Sequence, residues 1–147
     1  MRFSNVSKLF AALAIFPAVA HAKPRWHTVY TATGLTVAVD TAIVVRNSDG
    51  SYTLSTRWDY AKSRVLENKQ SYSRLVEKVR IKCNPVTVKR VATTLYNRAG
   101  KVMVEPDEVS DSDLGIMTWD PPRKGSDGEK VFPAVCRYVE KVKPKRS

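Results

Sequence analysis

The chain has 147 residues, 43% of them hydrophobic and 27% charged, with a formal net charge of +11 and two cysteines. That length fits one domain with one core. The cysteines, Cys83 and Cys136, form no C-x-x-C motif, which sets thiol redox chemistry aside.

The N-terminus reads as an export signal. Arg2 and Lys8 supply positive charge, Leu9 to Ala20 carries none, and Ala20-His21-Ala22 places small residues before a cleavage point at Lys23. The apolar core is shorter than the about 18 residues a spanning helix needs, and no later stretch is apolar enough. Residues 1–22 are therefore expected to be removed, leaving 23–147 with a net charge of +9 after the loss of Arg2 and Lys8. The expected destination is beyond the inner membrane: the periplasm, the outer-membrane surface or the medium. No cysteine follows the cleavage point, so no lipid anchor is expected. Export argues against a genomic nucleic-acid role, and the positive excess favours anionic partners. In an oxidising compartment an isolated cysteine pair normally closes, so a Cys83–Cys136 disulfide is expected. The alternatives are two free thiols or an intermolecular bridge.

From Trp26 the pattern is mostly period two. Trp26 to Tyr30 reads as a strand and Thr33-Gly34 as a turn. Leu35, Val37 and Val39 alternate with Thr36, Ala38 and Asp40, and Ile43 to Val45 stays extended. Asn47-Ser48-Asp49-Gly50 is a turn signal. In the next strand Tyr52, Leu54, Thr56, Trp58 and Tyr60 share a face. Residues 61–71 read as a polar loop. In the strand at 74–83, Leu75, Val79, Ile81 and Cys83 share the apolar face, with Glu77 as the exception; Lys78, Arg80 and Lys82 share the other. Asn84-Pro85 breaks the run. Residues 86–96 form a strand, Asn97 to Gly100 a turn, and 101–104 the last strand.

Residues 105–125 read as a long surface connection, acidic first and then passing through Trp119-Asp120-Pro121-Pro122. Ser126-x-x-Glu129 is a capping box that should start a helix carrying Val131, Phe132, Val135, Cys136 and Val139 to the sheet. Pro133 removes a backbone donor inside it, so the helix is kinked or begins later than the box implies. Residues 141–147 are basic and read as a disordered tail. The expected fold is α+β: an antiparallel sheet of about six strands, with a short C-terminal helix packed on one face and tethered by the disulfide. The domain is expected to cover 23–140.

The order of Trp26, Val39-Asp40, Arg57-Trp58-Asp59-Tyr60, Ile81-Lys82-Cys83, Trp119 and Pro122…Gly125-Ser126…Gly128-Glu129…Val135-Cys136 resembles the surface-adhesin protein E-like domain of Gram-negative bacteria. The resemblance covers about residues 25–139. It implies a small antiparallel sheet whose concave face holds the disulfide-tethered helix. It also implies an envelope location, frequent homodimers and, for the namesake, adhesion to host extracellular-matrix proteins. The namesake type is lipid-anchored, and here the sequence departs from it.

Few residues point to catalysis. The mature chain keeps one histidine, His27, which forms no Ser/His/Asp or Cys/His set, so no catalytic residue and no cofactor is expected. Glu105, Asp107, Glu108, Asp111 and Asp113 offer oxygen ligands, and Asp111-x-Asp113-x-Gly115 echoes the start of a calcium loop. Pro122 stands where such a loop needs glutamate, so a solvated acidic loop, or one paired with the chain's own basic face, is the better reading. The partner-binding candidates are Lys78, Arg80 and Lys82 with Lys89 or Arg90 from the next strand, and a mobile arm of Lys141, Lys143, Lys145 and Arg146. Such a set suits a host matrix protein or an anionic glycan or lipid surface. The leading expectation is a non-enzymatic envelope protein of adhesin E type. A soluble periplasmic structural or stress-related protein with no host ligand is the alternative, and an enzyme built on carboxylates is third.

Overall fold

The computed structural model describes residues 23–104, 108–142 and 144–146. The expected signal segment, together with Glu105, Asp107 and Lys143, lies outside the described residues. The chain order is β1 (Trp26–Ala32), β2 (Leu35–Asp40), β3 (Val45–Arg46), β4 (Tyr52–Val65), β5 (Ser71–Cys83), β6 (Val86–Tyr96), β7 (Val102–Val104), α1 (Asp111–Ile116), α2 (Asp127–Lys141) and β8 (Lys145–Arg146). The main path is the antiparallel meander β1-β2-β4-β5-β6-β7. Beside β4, β3 lies along its first residues and β2 further on. Turn chemistry sets these connections: Gly34, Gly50 and Gly100 take positive φ at three hairpin turns, a conformation that costs glycine no Cβ clash.

One face of the sheet, here the front, carries the core. Leu35, Val37, Val39, Leu54, Trp58, Val79, Ile81 and Val88 pack against Val131, Phe132, Val135 and Val139 of α2. Phe132 meets Trp58 edge to face, with ring centroids 5.8 Å apart. The expected bridge is present: Cys83 at the end of β5 is bonded to Cys136 in the middle of α2. The α+β architecture, the apolar face of β5 and the tethered helix are thus as the sequence implies.

Four local expectations need correction. Residues 61–71 are not a loop throughout; β4 runs to Val65 and β5 starts at Ser71, leaving a short turn. This outer arm is largely exposed, so no apolar alternation marks it. Its contacts are Arg64 over the Tyr60 ring, Tyr60 against Tyr72, and an Arg64–Asp127 ion pair of 2.9 Å. The connection at 105–125 contains α1, whose Ser110 accepts from the Asp113 backbone N–H and whose single buried residue is Leu114. Neither bond of the capping box at Ser126 forms as expected. The Glu129 carboxylate accepts from the Gly125 N–H at 2.7 Å, while the Ser126 hydroxyl donates to the Arg123 carbonyl at 2.6 Å. The helix nonetheless starts beside the box, at Asp127, and continues through Pro133 to Lys141. In the basic end, Lys141 belongs to the last turn of α2, and the backbone of Lys145–Arg146 pairs parallel with β3.

Candidate functional site

The five cations singled out from the sequence divide between the two faces of the sheet. Lys78, Arg80 and Lys82 alternate with the buried residues of β5 and lie on the back face. Lys89 pairs in register with Arg80 and joins them. Arg90 does not. A bulge interrupts the β5–β6 register, so that Lys78 pairs with Ala92 but Val79 with Arg90. Arg90 consequently stands on the front, the core side. The cause is the spacing of Val88 and Leu95. Both are buried, yet they are separated by an odd number of steps, and a regular strand would turn them to opposite faces. One extra residue, Val91, reconciles them.

The back face is covered in part by its own chain. The segment from Glu108 to Asp120 follows the outer edge of β6. The Val109 N–H donates to the Val91 carbonyl at 2.9 Å, and Asp120 bridges to Val88. Between these points α1 folds onto the back face. Lys78 pairs with Glu108. Arg80 reaches Asp49 at 3.2 Å and the Ser51 hydroxyl at 3.3 Å, while its buried Nε has no partner among the described residues. Lys89 is only 5% exposed and donates from Nζ to the Leu114 carbonyl at 2.7 Å. Burial acts to raise the Asp49 carboxyl. Hydrogen bonds from Ser51 and the charge of Arg80 outweigh it and hold the group below its ordinary value.

Trp119 closes this arrangement. The Lys82 ammonium lies 4.4 Å from its ring centre, the Lys89 ammonium 4.8 Å and the Arg80 guanidinium carbon 6.0 Å. An indole is the best aromatic partner for a cation, and here one half-buried ring takes three. The result is a composite aromatic and cationic patch, with the ring from the return segment and the cations from β5 and β6. The sequence supplied Trp119 only as a loop residue, because its contacts are set by how the segment crosses the sheet.

The front face holds a second feature. Past Asp120 the chain rounds the β6 edge and leads through Pro121-Pro122-Arg123 into α2. Between this crossing, β5, β6 and the first turn of α2 lies an open cleft of about 750 Å³. Its walls include Trp58, Leu75, Met117, Pro121 and Phe132. Glu77 also lines it and is 2% exposed. The Glu77 carboxylate accepts from Arg90 Nε at 3.1 Å and from the Thr56 hydroxyl at 3.4 Å, and Thr56 accepts from the Trp58 indole N–H at 2.9 Å. Burial pushes the Glu77 carboxyl up, and Arg90 partly counters it. The one charged residue on the apolar face of β5 thereby finds its partner. Glu77 was visible in the sequence as an exception; its pairing with Arg90 was not, because it depends on the bulge.

The remaining candidates carry less. His27 stacks on Tyr138 with centroids 4.7 Å apart, a packing contact between β1 and α2. In the acidic stretch, Glu108 serves Lys78 and Asp113 accepts from the Ser110 hydroxyl at 2.6 Å. Among the described residues no group of three or more His, Cys, Asp or Glu is placed to hold a metal, and no helix is long and apolar enough to cross a membrane.

Residues 26–137 match the family model described as surface-adhesin protein E. The chain belongs to the surface-adhesin protein E family. The match begins with β1 and ends one residue past Cys136, so it takes in the whole meander, the crossing segment and the disulfide. Neither a curated protein nor a solved structure matches the chain. Membership in this family points to surface adhesion as the role.

Proposed function

We propose that the protein is an exported, non-enzymatic envelope component that binds an anionic macromolecule of the host matrix through the back of its sheet. The patch formed by Trp119 with Lys82, Lys89 and Arg80 carries this reading. Lys82 is the cation best placed to meet a partner. It is half-buried over the Trp119 ring and acts on Asp49 through charge without an ion pair, whereas Lys78 and Arg80 are ion-paired with acidic partners and Lys89 is buried. Recognition would combine charge with stacking on a ring that a cationic neighbour already orients.

The test is binding to an immobilised sulfated glycan over a range of salt. Affinity should fall steeply as salt rises, because exposed charges are screened within about 10 Å at 0.1 M ionic strength. Lys82→Ala and Trp119→Ala should each weaken it. Binding that ignores salt, or survives both substitutions undiminished, overturns the proposal.

One observation favours the alternative, a periplasmic component without a host ligand. Glu108 and Asp49 neutralise Lys78 and Arg80 from within the chain. Protease shaving of intact cells separates the two readings: a surface adhesin is cut, and a periplasmic protein is protected.

A further inference from the structure

The front-face cleft lies on the opposite side of the sheet from the Trp119 patch and has its own chemistry. We propose that it is a receptor for a small amphipathic carboxylate, a free organic acid with one apolar chain or ring and one anionic head. Its volume of about 750 Å³ is within the roughly 300–1,000 Å³ typical of small-molecule sites. Trp58, Leu75 and Phe132 give it an apolar floor, and Met117 and Pro121 an apolar wall.

Arg90 supplies the head-group contact. Its Nε is fixed on Glu77, a carboxylate that is itself almost wholly buried, while the Arg90 side chain is 65% exposed. Glu77 is the only partner of the Arg90 guanidinium among the described residues, and Arg90 lines the cleft, so its two terminal nitrogens are left without an acceptor there. That planar pair matches a carboxylate through two parallel hydrogen bonds. Glu77 orients the guanidinium in advance and removes much of the ordering cost of binding.

Charge complementarity selects the sign and the size of the head. Of the acidic groups lining the cleft, Glu77 is paired with Arg90, Asp127 with Arg64 at 2.9 Å, and Asp120 accepts from the Thr118 hydroxyl at 3.0 Å. Arg123, also lining the cleft, makes no ion pair among the described residues. The Asp120 charge offsets that of Arg123, so the cation that selects the head is the outer end of Arg90, and one planar group suits one carboxylate. A cationic head placed at Arg90 would meet a like charge. A dianion would meet Asp120 and Asp127 at the rim.

The probes are decanoate, decanol and decylammonium, titrated into the folded protein by calorimetry. Decanoate should bind, and decanol at least about tenfold more weakly, equivalent to ~1.4 kcal/mol. Decylammonium should not bind. Arg90→Lys keeps a positive charge beside Glu77 but lacks the guanidinium fork, and it should weaken decanoate by about tenfold with little change in the unfolding midpoint. Equal affinity for decanoate and decanol, undiminished decanoate binding to Arg90→Lys, or no decanoate binding up to about 1 mM overturns the proposal. If Arg90→Lys fails to fold, the comparison of the three probes on the unaltered protein decides alone.

Discussion

Loss of the Cys83–Cys136 bridge tests how the helix is held on the sheet. The bridge joins residues 53 apart in sequence. On the chain-entropy model, closing a loop of that length stabilises the fold by about 4 kcal/mol. Against it stands the packing that α2 keeps without the bridge. Val131, Phe132, Val135 and Val139 are each no more than 1% exposed. Burying each such side chain contributes roughly 1.5–3 kcal/mol, so the four together outweigh the cross-link. A Cys83→Ala/Cys136→Ala variant should therefore remain folded but lose stability. With a urea slope of about 2 kcal/mol/M, its midpoint should fall by about 2 M.

The loss should also be uneven. β4 and β5 are each hydrogen-bonded to strands on both sides, whereas α2 rests on the sheet through side chains and the bridge. In native-state hydrogen exchange the amides of α2 should lose protection at a lower denaturant concentration than those of β4 and β5. Simultaneous loss in helix and sheet, on one common slope, would refute the view that the bridge is a tether for α2. A destabilisation below about 1 kcal/mol would refute the loop-closure reasoning.

Two further outcomes follow from the core. Phe132→Ala removes the ring that packs on Trp58 and is expected to cost about 3–5 kcal/mol, read as a drop in the urea midpoint; a cost below about 1 kcal/mol would show that Phe132 does not anchor α2. Glu77→Gln should change the pH dependence of stability. Burial raises the Glu77 carboxyl, so the native state holds that proton more tightly than the unfolded state, and this contribution is complete below the ordinary glutamate value and is lost as pH rises through the raised one. Glutamine removes that slope, so the difference between variant and unaltered protein should shift in favour of the variant as pH rises above the ordinary glutamate value; parallel stability curves over that rise would contradict the assignment.

The sheet faces and the helix were legible because burial imposes period two on β2, β4 and β5, and a capping pattern precedes α2. Leu75, Val79, Ile81 and Cys83 announce a core-facing strand, and Cys136 lies on the one amphipathic segment able to cover it. The outer arm of β4 and β5 was not legible, because Ala61 to Val65 face solvent on both sides and carry no alternation. α1 was missed for a related reason: six residues with one buried side chain, Leu114, make no periodic signal. Its signature was the Ser110-x-x-Asp113 spacing, which repeats on a smaller scale the logic of Ser126-x-x-Glu129. The cations of β5 were placed correctly by alternation, but their neutralisation by Glu108 and Asp49 depends on contacts between distant parts of the chain. For the first of these, pairing of the acidic connection with the basic face was already one of the expectations.

The β6 bulge links the two faces. Without it, either Val88 or Leu95 would leave the core side. With it, Lys89 stays behind the sheet under α1, while its neighbour Arg90 stands in front against Glu77. A slip of one residue would exchange these cations. It would bury an unpaired Glu77 carboxylate, and truncating one partner of a buried ion pair typically costs about 3–5 kcal/mol. The Glu77–Arg90 pair therefore opposes the slip as directly as the apolar side chains do. The same pair leaves the outer end of a guanidinium at the mouth of an apolar cleft. Register and ligand recognition then make the same demand on Arg90, and Arg90→Lys separates them: lysine can satisfy the charge of Glu77 but cannot grip it and a second carboxylate with one planar group.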